Sequence, residues 1–159
     1  MNKTLLALAA CLFSLSASAG SPPPPFHVDL GEYLQSGNRA GSDKYWAFVS
    51  QVRKDFDNIC GDTFCEGDIH NWQVLSTDCS IQVGTERVRE CHIVMAGSEQ
   101  ELNPTTGSYR LTRKELLDCK MEMNMSLKDF LKIEGLETEY KNGKGETTTL
   151  YNGLVDCIP

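Results

Sequence analysis

Between Asp43 and Cys60 the apolar residues Tyr45, Phe48, Val49, Val52, Phe56 and Ile59 recur at helical spacing and make one stripe. The pattern predicts an amphipathic helix with Ser42 as its N-cap and Gly61 just past its end. Beyond it the helical period gives way to alternation. Leu75, Cys79, Ile81 and Val83, then Cys91, Ile93 and Met95, then Leu117, Cys119, Met121, Met123 and Met125 alternate with mostly polar neighbours. Each set falls on one face of a strand, so the three strands share one greasy face. The first two, over residues 71–83 and 87–96, fold about a turn near Gly84 and Thr85, and Asn103-Pro104 with Gly107 punctuates the passage to the third.

Ser126 is placed to cap a short helix over Leu127 to Ile133, with Asp129 in the first turn where the helix dipole favours a carboxylate. Asn142-Gly143-Lys144-Gly145 marks a turn, and residues 147–158 are expected to add a further strand. Upstream, Gly31 to Gly41 is polar and Gly-rich and reads as loop; Gly20-Ser21 and the run Pro22 to Pro25 read as a stiff, extended entry that acts as a spacer. The expected organisation is a leader over 1–19, an extended entry over 20–41 and a single α+β domain over 42–159, in which one long N-terminal helix packs on an antiparallel β-meander. In element order alone this outline resembles cystatin-like or nuclear-transport-factor-like architectures, a likeness that carries no function.

The leader expectation rests on Lys3, the apolar stretch Leu5 to Phe13 and the small-residue ending Ser16-Ala17-Ser18-Ala19, the three parts of a cleavable secretory signal. Leu8-Ala9-Ala10-Cys11 also looks like a lipid-attachment box, but Leu12 and Phe13 carry the apolar region past Cys11, which favours cleavage after Ala19. No stretch reaches the roughly 20 apolar residues that a membrane span needs, so no membrane anchor is expected. Loss of residues 1–19 removes only Lys3 among the charges, leaving 14 basic against 22 acidic residues. That acidic surface argues against nucleic acid and anionic membranes as partners and suits a basic protein, a cation or plain solubility.

Six cysteines remain after the leader: Cys60, Cys65, Cys79, Cys91, Cys119 and Cys157. An even count behind an export signal reads as three disulfides in a periplasmic or secreted protein. No C-x2-C pair or H-x3-H element supports zinc. Across the turn near Gly84, Cys79 lies nearly opposite Cys91, the best-argued bridge. Cys60 and Cys65 flank a four-residue loop that they are able to close, leaving Cys119 for Cys157. In the chain-entropy model these loops contribute about 2 (Cys60–Cys65), 3 (Cys79–Cys91) and 4 kcal/mol (Cys119–Cys157), comparable together to the net stability of a domain.

The densest polar run is Asp55 to Trp72. With Cys60 and Cys65 bridged, Asp62, Glu66, Asp68, His70, Asn71 and Trp72 would ride on a rigid loop between helix and sheet, and these are the candidate binding residues. The stretch Cys60-Gly61-Asp62-Thr63-Phe64-Cys65-Glu66-Gly67-Asp68, with Asn71, resembles a run found in exported bacterial proteins to which no activity is attached. The acidic oxygens suggest calcium, but the EF-hand spacing and its closing glutamate are missing, and helix termination with solvated turn acids accounts for them better. Met121, Met123 and Met125 are soft ligands of the kind Cu(I) prefers, although they continue the apolar series from Leu117 and suit core packing better.

A hydrolase would need two of these carboxylates as acid and base, with His70 or His92 as a proton carrier. No nucleophile elbow, zincin helix or free cysteine accompanies them. His92 alternates onto the face opposite Cys91, and Arg87, Arg89 and Arg110 with Lys114 are expected on the wet face of the sheet. The leading expectation is therefore an exported, non-enzymatic binding protein of inhibitor or immunity type with a protein partner and no cofactor. The alternatives are a small envelope hydrolase and a calcium- or copper-binding protein.

Overall fold

The computed structural model describes residues 26–59 and 69–158. The expected leader, the proline run and the expected Cys60–Cys65 bridge lie outside them. His27–Asp29 forms a short strand, β1, and its last residue caps the next element: Asp29 Oδ1 accepts a hydrogen bond from the Glu32 N–H at 2.9 Å and starts helix α1, Leu30–Gly37. The expected loop over residues 31–41 is corrected here, because Leu30 and Leu34 stand one turn apart and are fully buried. Gly31, which reads as a loop signal, is a packing device: a Cβ there would lie 3.1 Å from Tyr45 Cε1 and 3.2 Å from Trp46 Cζ2.

Helix α2, Arg39–Ile59, begins almost at once. Asn38 separates the two. Its backbone leaves helical values (φ −138°, ψ 80°), its N–H donates to Leu34 O, and its Oδ1 accepts from the Gly41 N–H at 2.9 Å. One asparagine thus ends α1 and caps α2, so the single long N-terminal helix is replaced by two consecutive helices of 8 and 21 residues. Ser42, expected as the cap, sits inside α2 and is buried. The predicted stripe holds: Tyr45, Phe48, Val52 and Phe56 are buried, and Val49 is half-buried against the same core.

Three long strands form the rest of the sheet, β2 His70–Gln82, β3 Arg87–Leu102 and β4 Tyr109–Ser126. The order is β1-β2-β3-β4, antiparallel throughout. Alternation alone misplaces two residues. A bulge between Val74 and Ser76 inverts the phase of β2, so Trp72 and Val74 point inward before it and Thr77, Cys79 and Ile81 after it. Leu75, expected in the core, is half exposed, and Val83 falls past the strand end and is also exposed. β3 has a similar shift after Val88, beyond which Cys91, Ile93 and Met95 are fully buried.

After β4 the chain returns across the core. Ser126 caps helix α3, Leu127–Phe130, by accepting from the Asp129 N–H at 3.1 Å, and the helix stops at Leu131 rather than Ile133. Phe130 meets Phe48 of α2 edge-on, ring centres 5.2 Å apart. A small hairpin of β5, Tyr140–Lys141, and β6, Thr147–Thr148, encloses the Asn142–Gly145 turn, where Asn142 Oδ1 accepts from the N–H groups of Lys144 and Glu146. The strand expected over 147–158 is corrected: beyond Thr148 the tail is helix α4, Leu150–Cys157. Thr149 caps it, and Leu150 and Leu154, one turn apart, are fully buried.

Cys79 pairs with Cys91 directly opposite across β2 and β3, and Cys119 of β4 pairs with Cys157 at the end of α4. The molecule is thus a mixed helix and antiparallel-sheet fold fastened by these two disulfides. Among the described residues no helix is long and apolar enough to cross a membrane.

Candidate functional site

Asp62, Glu66 and Asp68 lie outside the described residues; their flanks do not. His70 opens β2 opposite Ser98 of β3. Asn71 is exposed and adopts φ 66°, a left-handed conformation that asparagine tolerates at low cost, within a register irregularity between His70 and Gln73. The kink turns Trp72 inward, where it is 4% exposed, and its ring lies where a Cβ on Gly97 would be, 2.6 Å from Trp72 Cδ2. Trp72 therefore belongs to the core, which corrects its place among the binding residues. Burial, not alternation, decides this.

Beside the end of α2 lies an open cleft of about 680 Å³ bordered by Asp55, Asn58, Glu134, Glu137 and Thr138. Asp55 is already engaged: Oδ1 accepts from Gln51 Nε2 at 2.6 Å and Oδ2 accepts from the Leu136 N–H at 3.0 Å, tying α2 to the segment before β5. The cleft therefore offers Glu134 and Glu137, both exposed, to a visitor. This continues the acidic character of the run that begins at Asp55.

A second charged group stands on the outer face of the sheet. His92 Nδ1 lies 2.8 Å from Asp118 Oδ1 and Nε2 3.4 Å from Glu90 Oε1, while Lys120 Nζ is 2.6 Å from Glu90 Oε2. The Asp118 hydrogen bond is the main cause that raises the imidazole above its usual value of 6.5, with Glu90 adding to it against partial desolvation. Glu90 is held below the ordinary carboxylate range, chiefly by Lys120. A histidine between two carboxylates is stabilised as a cation, which suits a fixed ion network better than a general base. Among the described residues no hydroxyl or thiol hydrogen-bonds to His92, so a nucleophile–base pair is not assembled there.

The third feature was not legible as a site. β3 and β4 run past the end of β2 as a two-stranded arm, and residues 100–114 are all exposed. Because Cys91, Ile93, Met95 and Gly97 face the core, residues 100 and 102 face outward, opposite Leu111 and Tyr109. Leu102 is 53%, Tyr109 72%, Leu111 45% and Leu116 67% exposed, an apolar stripe on a wet face. The inward face of the arm carries Glu99 and Glu101 opposite Arg113 and Arg110. The alternation Tyr109-Arg110-Leu111-Thr112 is the sequence signal that would have extended β4, but it stands apart from the core pattern that begins at Leu117.

The remaining candidates are absorbed by structure. Met121, Met123 and Met125 are buried. Arg89 donates to Asn124 Oδ1 at 2.6 Å, and Arg87 donates to the Asn124 carbonyl, so these cations clasp β4 instead of forming a basic surface. Among the described residues no group of three His, Cys, Asp or Glu side chains is arranged to hold a metal. Comparison with protein-family models, curated proteins and solved structures finds no match.

Proposed function

We propose that the chain is an exported, non-enzymatic protein-binding module, of inhibitor or immunity type, acting in the periplasm or outside the cell. The observation that carries this reading is the projecting β3–β4 arm, with Leu102, Tyr109 and Leu111 held outward on a scaffold fastened by Cys79–Cys91 and Cys119–Cys157. Aromatic and aliphatic anchors on a rigid element bind with little ordering cost, and tyrosine is enriched at such contacts. The acidic sequence around Asp62, Glu66 and Asp68, together with Glu134 and Glu137, favours a basic target. The leader, the described disulfides and the acidic balance support export.

Immobilised mature protein tests the reading against envelope extract. One target should be retained by the wild type and lost with Tyr109→Ala plus Leu111→Ser, while far-ultraviolet dichroism stays unchanged. Equal retention by the arm variant and by Asp62→Ala plus Glu66→Ala would discard the proposal. Turnover of a glycan, peptidoglycan or ester substrate, abolished by Glu66→Gln, would replace it with the hydrolase reading.

A further inference from the structure

β4 is an edge. In the order β1-β2-β3-β4 it has β3 on one side, and among the described residues no strand pairs with the other, β5 and β6 forming a separate sheet. Its first third, Tyr109 to Lys114, is wholly exposed, and Leu116 stays 67% exposed beyond it. A free edge of this length with apolar side chains is a template for another strand.

We propose that a second copy of this chain fills that edge, the two β4 strands pairing antiparallel about a two-fold axis at Lys114 so that two four-stranded sheets become one. The sequence of the edge is complementary to itself in this register. Arg113 of one copy faces Glu115 of the other, and the two-fold repeats the pair with opposite sign. Both side chains lie on the inward face, where Glu115 Oε2 is buried without a hydrogen-bond partner and its own Arg113 stops at 3.5 Å. In the dimer Arg113 of the other copy takes the place of the chain's own Arg113 beside this carboxylate, so that the two ion pairs are exchanged across the axis.

Faces stay matched past the axis because of a bulge. Glu99 pairs with Arg113 and Gln100 with Leu111, so Thr112 is an extra residue in β4. Counting past it sets Leu111 of one copy opposite Leu116 of the other, both on the outer face. Two of the exposed leucines on each chain are thereby covered. The pairing ends near Tyr109 and Asp118, short of Cys119, which is bonded to α4. Lys114 meets its own copy on the axis, a like-charge contact that weakens the dimer and keeps the edge from pairing indiscriminately. Some ten residues a side is a small interface, so the association is of the transient, micromolar kind.

This association does not rest on the target-binding reading, since a monomeric variant that still retains its target would separate the two. Sedimentation velocity on the mature protein from about 1 to 300 µM tests it. A concentration-dependent dimer is expected, weakened about tenfold or more by Arg113→Glu or Glu115→Arg and restored when both are combined, because the pair is met twice. Lys114→Thr should tighten it, and Lys114→Cys should cross-link two copies on oxidation. A wild type and Lys114→Thr variant that are both monomeric at the highest concentration would overturn the proposal. So would a double swap that fails to recover the dimer while its melting temperature matches wild type, or cross-linking through Leu116→Cys in place of Lys114→Cys.

Discussion

At Gly97 the cost of one methyl group can be stated. A Cβ would come within 2.6 Å of both Ile69 Cγ2 and Trp72 Cδ2, and neither a tryptophan ring nor the β2 backbone beneath it yields easily. Gly97→Ala is expected to destabilise by about 1–3 kcal/mol, an overpacking cost, and to lower the thermal midpoint by several degrees in calorimetry. His92 gives a pH-dependent counterpart. Its folded value is raised above 6.5, first by Asp118, so the ion network stabilises fully below that value and fades as pH rises through the folded one. The side chain is about a third exposed, so water screens the effect and it is small. The midpoint difference between wild type and His92→Gln should be larger at pH 5.5 than at pH 8.5, read by differential scanning fluorimetry; a difference that grows toward alkaline pH would reverse the assignment.

Elements in this fold are set by caps and bulges as much as by periodicity. Asn38 divides the N-terminal helical region because its side chain satisfies the Gly41 N–H while its own N–H closes α1. Thr149 turns the tail into α4, and the Cys119–Cys157 bridge then binds that helix to β4. The two described bridges span sequence separations of 12 and 38 residues. Replacing Cys119 and Cys157 together by serine should cost about 4 kcal/mol, against about 3 kcal/mol for Cys79 and Cys91, since the longer loop constrains the unfolded chain more. Urea titrations of the two double variants check the order. The longer bridge should also matter locally, its loss exposing α4 to hydrogen exchange before the sheet.

At the scale of the whole molecule the core and the arm are separable. The buried side chains come from α1, α2, α3, α4, the part of the sheet below Gly97 and the adjoining Ile69, Ile133 and Leu136, whereas residues 100–114 contribute none. Deleting residues 100–112 and joining Glu99 to Arg113 through Asn-Gly, a two-residue hairpin turn, is expected to shift the melting temperature by less than about 5 °C. The same deletion should abolish retention of the target and the dimer together. A much larger fall in melting temperature would show that the arm supports the core, and the proposed division of labour between scaffold and contact element would go with it.

Sequence alone determined what local pattern can carry. The stripe from Tyr45 to Phe56 needs only a 3.6-residue period to bury itself, the Cys79–Cys91 pair follows from a hairpin folded at Gly84, and the Met121, Met123 and Met125 face follows from alternation. Tertiary structure decided whatever depends on a change of phase or on a distant partner. The bulge at Leu75 shows as a register shift only when β3 lies alongside. Leu30 and Leu34 bury because α2 and the sheet stand over them, so a Gly-rich segment that looks like loop becomes helix. Trp72 turns inward at Asn71, and the edge of β4 is free because no later described segment pairs with it. Periodicity records how one element faces its core; which surfaces remain uncovered is set by how all the elements pack, and no local window of sequence contains that.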